Sequence, residues 1–106
     1  MTYASISDVK WWLKHPQNDT SLDEEIGEAL QTIDNEINQI LSEYTETPVT
    51  DEGLREILGD IEAQWAAGVL RQRRIPGGDE EDIYIQVARR RLERLIDRRF
   101  KSIELA

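Results

Sequence analysis

The chain has 106 residues, 39% of them hydrophobic, with 13 Lys and Arg against 22 Asp and Glu for a formal net charge of -9, and no cysteine. That length fits one domain, residues 1–106, with a shallow core, and an apolar share this low leans toward burial completed in an assembly. The lack of cysteine excludes a disulfide framework and a thiolate metal site. No apolar run approaches the ~20 residues of a membrane span, and "MTYASISDVKWWLK" lacks the basic head and apolar middle of a secretion signal; the expectation is a soluble protein of a reducing compartment, or of a particle built there.

Four helices and no strand are predicted. Ser5 or Ser7 can cap the first, "SDVKWWLK", which stops before His15-Pro16 because a residue preceding proline is pushed out of the helical region. "HPQNDT" is a loop. "SLDE", Ser21–Glu24, reads as a capping box for the second helix. Leu22, Ile26, Leu30, Ile33, Ile37, Ile40 and Tyr44 then form one stripe to about Tyr44, and the other faces are acidic. "TETPVTDEG" breaks the pattern, and Thr50 or Asp51 caps a third helix with the stripe Leu54, Ile57, Leu58, Ile61, Trp65 and Val69. Its "AQWAAGVL" is rich in small residues, which permits close approach of another helix. "RRIPGGDEED" is the next connection. Asp79 can cap a last helix from about Glu80 to Arg98; "DIYIQV" alternates like a strand but has nothing to pair with, so it is assigned to that helix. The tail, about residues 99–106, is expected to be irregular. The predicted architecture is an all-α bundle of about four helices with short loops.

The charge is divided along the chain. Residues 1–70 hold 15 acids and 3 bases, whereas residues 71–106 hold 7 acids and 10 bases. Such asymmetry concerns partners more than fold. At 100° per residue, Tyr84, Ile85, Ala88, Leu92, Leu95 and Ile96 fall on one arc of the last helix. Arg90, Arg91, Arg94, Arg98 and Lys101 fall opposite. The pairs Arg89–Glu93 and Arg94–Asp97 answer some of this charge, but Arg90, Arg94 and Arg98 repel one another at four-residue steps. Arg99 would land among the apolar residues, so either the helix ends there or that side chain reaches into a neighbour. Four readings of the basic stripe stand: a solvated face, a phosphate contact, a membrane surface, or a contact with an acidic protein surface such as another copy's second helix. No aromatic, Asn or Gln base readers interleave the arginines, and the apolar arc is needed for the core, which disfavours the second and third.

No catalytic constellation, metal site or cofactor site is predicted. His15 is the only histidine and lacks a positioned partner. "DEE" and "DEED" lack the alternating oxygens and central glycine of a calcium loop, and "IPGGDEED" has neither a preceding strand nor a following lysine. Trp11, Trp12 and Trp65 are expected as core and interface anchors, with one of the adjacent pair in the core and the other at an edge. The chain is not expected to be an enzyme.

The order "DVKWWL", "DEEIGEALQTIDNEINQIL", "TETPVTDE", "LREILGDIEAQWAAGVL", "RRIPGGDEED" and a final helix with a short tail resembles the head–tail connector (adaptor) proteins of tailed double-stranded DNA viruses. The resemblance covers nearly the whole chain and rests on helix order, loop placement and size. It implies a structural virion protein at the head–tail interface, assembled in the host cytoplasm. It implies a homo-oligomeric ring of about twelve subunits under the portal protein, joined on its other side to the next tail connector, with DNA as non-specific cargo in the channel and no membrane. It implies portal contacts in the terminal segment, about Arg98 to Ala106, and ring or channel contacts in the loop from Arg73 to Asp82, by region and not residue by residue. Joined to the reading of the basic stripe, the candidate subunit or portal contacts are Arg90, Arg91, Arg94, Arg98, Arg99, Phe100, Lys101, Ile103 and Leu105, and the candidate loop residues are Arg73, Arg74, Pro76, Gly77, Gly78, Asp79 and Glu80. The density of arginine in the last helix departs from the family pattern. The alternatives are a small regulatory DNA-binding protein using the Arg-rich helix and a generic helical interaction module.

Overall fold

The computed structural model describes residues 2–75 and 80–101. Four α-helices follow in order, α1 Ile6–Leu13, α2 Asp23–Leu41, α3 Glu52–Arg73 and α4 Ile83–Ile96, and a π-helical turn, Asp97–Lys101, extends α4. The described residues contain no strand. The all-α bundle is therefore as the periodicity predicts, and "DIYIQV" is helical. Helices α1, α2 and α4 each pack on α3, and the buried side chains of all four join in one hydrophobic cluster.

Ser5 caps α1 through a capping box: its hydroxyl accepts from the Asp8 N–H at 3.2 Å, and the Asp8 carboxylate accepts from the Ser5 N–H at 2.9 Å. Lys14 closes the helix in the left-handed region, φ 57, just before His15-Pro16. The capping box expected at Ser21–Glu24 does not form. The Ser21 N–H donates instead to Asp19 at 2.9 Å, and Asp23 is drawn to the Lys10 ammonium at 2.8 Å. These contacts hold residues 19–22 in a turn, so α2 starts at Asp23 with Leu22 as an N-cap lacking a side-chain bond. It also ends earlier than predicted, at Leu41. The Ser42 hydroxyl turns back to the Gln39 carbonyl at 2.6 Å, and Tyr44 leaves the helix to stack on Phe100 at 5.9 Å between ring centroids. Leu41 is buried in the core while Ile40 is exposed.

Asp51 caps α3, accepting from the Leu54 N–H at 2.9 Å. Leu54, Leu58, Ile61 and Trp65 are buried as predicted, whereas Ile57 lies off the stripe and is exposed and Val69 is half-buried. The small residues act as expected: a Cβ on Gly68 would sit 2.8 Å from Ile85 Cγ1 and 2.9 Å from its backbone nitrogen. Helix α4 begins at Ile83, three residues later than predicted, because Asp82 is the cap. Its carboxylate accepts from the Tyr84 N–H at 2.9 Å and meets Arg71 Nε at 3.3 Å, and its own N–H donates to Gln72 at 2.8 Å. The cap position expected at Asp79 lies outside the described residues. Of the tail expected to be irregular from about residue 99, residues 99–101 are instead helical, in the π turn, and residues 102–106 lie outside the described residues.

The last turn resolves where Arg99 goes. In continued α geometry Arg99 would face the core arc. The i→i+5 turn inserts one residue, so Phe100 takes that place, half-buried beside the core, and Arg99 swings out to Asp51 at 3.4 Å.

Two glycines inside helices allow a paired test. Gly27 has nothing within 4 Å of an added Cβ, whereas Gly68 has α4 against it. Gly27→Ala is expected to stabilise the chain by about 0.5–1 kcal/mol through helix propensity alone, and Gly68→Ala to destabilise it by about 1–3 kcal/mol through overpacking; chemical denaturation of both variants measures the opposite signs.

Candidate protein-interaction surface

The basic stripe of α4 divides into engaged and unengaged arginines. Arg89, Arg91 and Arg99 are answered within the chain. Arg89 meets Glu81 at 2.5 Å and lies 5.5 Å over the Trp65 ring. Arg91 is half-buried against α3, with Asp60 at 2.5 Å and Gln64 at 2.7 Å. Lys101 meets Asp97 at 3.4 Å and lies 5.7 Å from the Tyr44 ring. Arg98 also has an interaction within the chain. Neither intrahelical pair expected from the sequence forms: Arg89 reaches back to Glu81 because the non-helical residues before α4 bring that carboxylate beside it, and Asp97 is taken by Lys101.

Arg90 and Arg94 differ. Both are exposed, one turn apart, and neither meets a carboxylate among the described residues. The outward face therefore keeps two guanidinium groups at a four-residue step, where like charges repel mildly.

The loop residues singled out in the sequence are partly accounted for. Arg73 and Arg74 converge on Glu25 of α2, at 3.8 Å and 3.1 Å, and Arg74 also donates to the Leu70 carbonyl at 3.0 Å. Glu80 is exposed. Pro76, Gly77, Gly78 and Asp79 lie outside the described residues, as do Ile103 and Leu105.

The adjacent tryptophans separate as predicted. Trp12 is half-buried, edge-on to Tyr84 at 5.4 Å, and Trp11 is 69% exposed on the outside of α1. A cavity of about 470 Å³ beside Trp11 is lined by Tyr3, Asp8, Trp12, Glu56, Gly59 and Asp60. His15 stays in its loop, 3.3 Å from Asp19. Among the described residues no group of three or more His, Cys, Asp or Glu could hold a metal, and no helix is long and apolar enough to cross a membrane.

Sequence reasoning missed a buried acid pair. Glu62 of α3 is fully buried and Asp34 of α2 nearly so. Glu62 accepts the Ala4 N–H at 3.1 Å, and Asp34 accepts the Tyr3 N–H at 3.2 Å. The Tyr3 hydroxyl bridges Asn38 and the Val49 N–H, so the two acids hold the N-terminal segment onto the bundle. Burial, reinforced by the neighbouring Asp34 carboxyl, pushes Glu62 from the ordinary 4.5 up to about 9. The other Glu62 oxygen has no donor nearby, as expected where a proton must be supplied by the acid pair itself. The signal was present: Glu62 is four residues from Leu58 and Asp34 four from Leu30, each on the buried stripe of its helix. A strongly perturbed carboxyl can mark a catalytic site, but this one is sealed beneath Ala4 and serves the fold.

Comparison with protein-family models, curated proteins and solved structures found no match to this chain.

The acid pair makes stability depend on pH. Folded Glu62 keeps a proton between about 4.5 and 9 that the unfolded chain releases, so its contribution to stability is fully present below 4.5, falls as pH rises through this window and is lost above 9. Glu62→Gln keeps the acceptor for Ala4 and adds a donor toward Asp34. Denaturation midpoints measured across the window from 4.5 to about 9 are expected to fall with pH in the wild type and to change far less in this variant, which gains most at the alkaline end.

Proposed function

We propose that this chain is a structural assembly subunit of the head–tail connector kind, forming a homo-oligomeric ring below the portal of a tailed virus and lengthening the channel through which DNA leaves the head. The observation that carries the reading is the pairing pattern on α4: the chain's own acids occupy Arg89, Arg91 and Arg99, while Arg90 and Arg94 face outward without a described carboxylate. A surface evolved to hold phosphates would present the whole stripe, and a merely solvated face has no reason to stack guanidinium groups at mutually repulsive positions. Carboxylates of another protein chain satisfy both points. A chain acidic over residues 1–70 and basic beyond presents opposite signs to its neighbours, the requirement for head-to-tail contacts that close into a ring. The acidic excess suits a channel whose wall must not hold DNA.

Helix order adds support. A short aromatic helix, a long acidic one, a small-residue-rich one and a basic terminal one occur in the arrangement that the connector resemblance implies. In this proposal the terminal segment from about Arg98 approaches the portal, the loop at residues 73–82 contributes ring or channel contacts, and the role is non-catalytic.

The mass of the purified chain, alone, with duplex DNA and with the portal protein of the same virus, tests the reading. A ring is expected with the portal, and Arg90→Glu with Arg94→Glu is expected to weaken assembly by at least about tenfold without altering the melting temperature, since neither side chain is engaged within the described fold. A chain that stays monomeric with the portal and instead binds duplex DNA, with affinity falling by roughly 0.9 log unit per contacted phosphate per log unit of salt, is the regulatory DNA-binding protein and contradicts the connector.

A further inference from the structure

The structure offers a receiving surface for Arg90 and Arg94 on the opposite end of the chain's charge division. Trp11 is the most exposed large hydrophobic side chain among the described residues, at 69%, although its neighbour Trp12 is packed. An aromatic side chain left this open on a helix is a typical interface anchor. It lines the cavity between α1 and α3 described above, together with Gly59 and the carboxylates of Asp8, Glu56 and Asp60. Glu56 is exposed and meets no Lys or Arg among the described residues; Asp60 shares its charge with Arg91. The groove thus combines an exposed indole, whose ring contact is edge-on with Trp12, with a carboxylate that has room for a cation.

The complementary surface lies on α4. Ile83, Val87, Arg90 and Arg94 follow at steps of four, three and four and so share one face. It is opposite the face bearing Ile85, Ala88, Leu92 and Ile96, which is buried against α3. Ile83 is 52% exposed. This face is apolar in its first turn and basic in the next two, matching an indole beside carboxylates: Ile83 and Val87 can cover Trp11, and the arginine planes can stack on it or pair with Glu56.

We infer that the α1–α3 groove of one copy, centred on Trp11 and Glu56, receives the outward Ile83–Arg94 face of α4 from a second copy. The inference rests on the proposed assembly and names the two surfaces that would make its subunit contact. The contact is heterologous: each copy offers both surfaces, and neither surface is complementary to itself, because one is acidic and the other basic.

The absence of cysteine in this chain makes a clean test. Ser7→Cys places a thiol on exposed α1 backbone one turn before Trp11, and Val87→Cys places one on the α4 face between Ile83 and Arg90. The two single-cysteine chains are mixed and treated with a short bismaleimide at low salt. The mixture is expected to give cross-linked dimers joining one chain of each kind at roughly ten times the yield of either chain alone. Adding Arg90→Glu and Arg94→Glu to the Val87→Cys chain is expected to suppress that yield by about the same factor, and adding Glu56→Arg to the Ser7→Cys chain carrying the reversed partner is expected to restore it. A mixture yielding no more than the separate chains, or a yield indifferent to the arginines, overturns the contact. If copies still assemble on the portal under that result, only this contact is wrong; if they do not assemble at all, the connector reading falls with it.

Discussion

The close approach of α3 to its neighbours is the constraint on which the rest of this molecule depends. At Gly68 there is no room for a Cβ against Ile85, and at Gly59 none against the Tyr3 carbonyl, 2.8 Å away. Alanines 63, 66 and 67 line the same helix and are wholly buried. Because α3 is this narrow, α1, α2 and α4 can all reach it, and a chain with few large apolar residues still closes a continuous core. The outward directions of the other helices follow from that choice. Once Ile85, Ala88, Leu92 and Ile96 are turned onto α3, Arg90 and Arg94 must point away from it.

The same helix carries the polar half of the design. Glu62, buried among the apolar residues of α3, pairs with Asp34 and takes the backbone N–H of Ala4, fixing the segment that leads into α1. A buried acid pair is costly unless its hydrogen bonds are made and its charge reduced. Here two N-terminal amides and a retained proton meet that cost, and α1 is held where Trp12 can pack on Tyr84 and Trp11 cannot. The exposure of Trp11 is thus a consequence of how the N-terminus is anchored.

Much of this was legible in the sequence. Apolar spacing located α2 and α3, since Ile26, Leu30, Ile33 and Ile37 or Leu54, Leu58, Ile61 and Trp65 can share a face only in a helix, and caps and proline breaks marked out α1 and α4. Ends were less legible because side chains compete for the same backbone donors. Ser21 looked like a cap, but Asp19 takes its N–H and Lys10 draws Asp23 away; Asp82 rather than an earlier acid starts α4 because Arg71 and Gln72 hold it from α3. The apolar arc of α4 was legible, but Arg91, expected on the outward stripe, turns onto α3, and which arginines remain available depends on acceptors 27 to 48 residues distant, such as the Gln64 amide and Asp60 carboxylate beneath Arg91 and the Asp51 carboxylate beside Arg99. No local pattern encodes such pairs. The acid pair was hidden for the opposite reason: its residues sit on buried stripes but are of a type normally assigned to solvent.

The account turns on whether Arg90 and Arg94 face protein carboxylates in the assembled particle. A cryo-electron-microscopy map of the chain bound to its portal, at a resolution that shows side chains, decides this directly. The account predicts guanidinium density from both residues against carboxylates of an adjoining protein chain, with no nucleic acid beside them. Density placing them against the DNA backbone, or in open solvent within a complete ring, would contradict it.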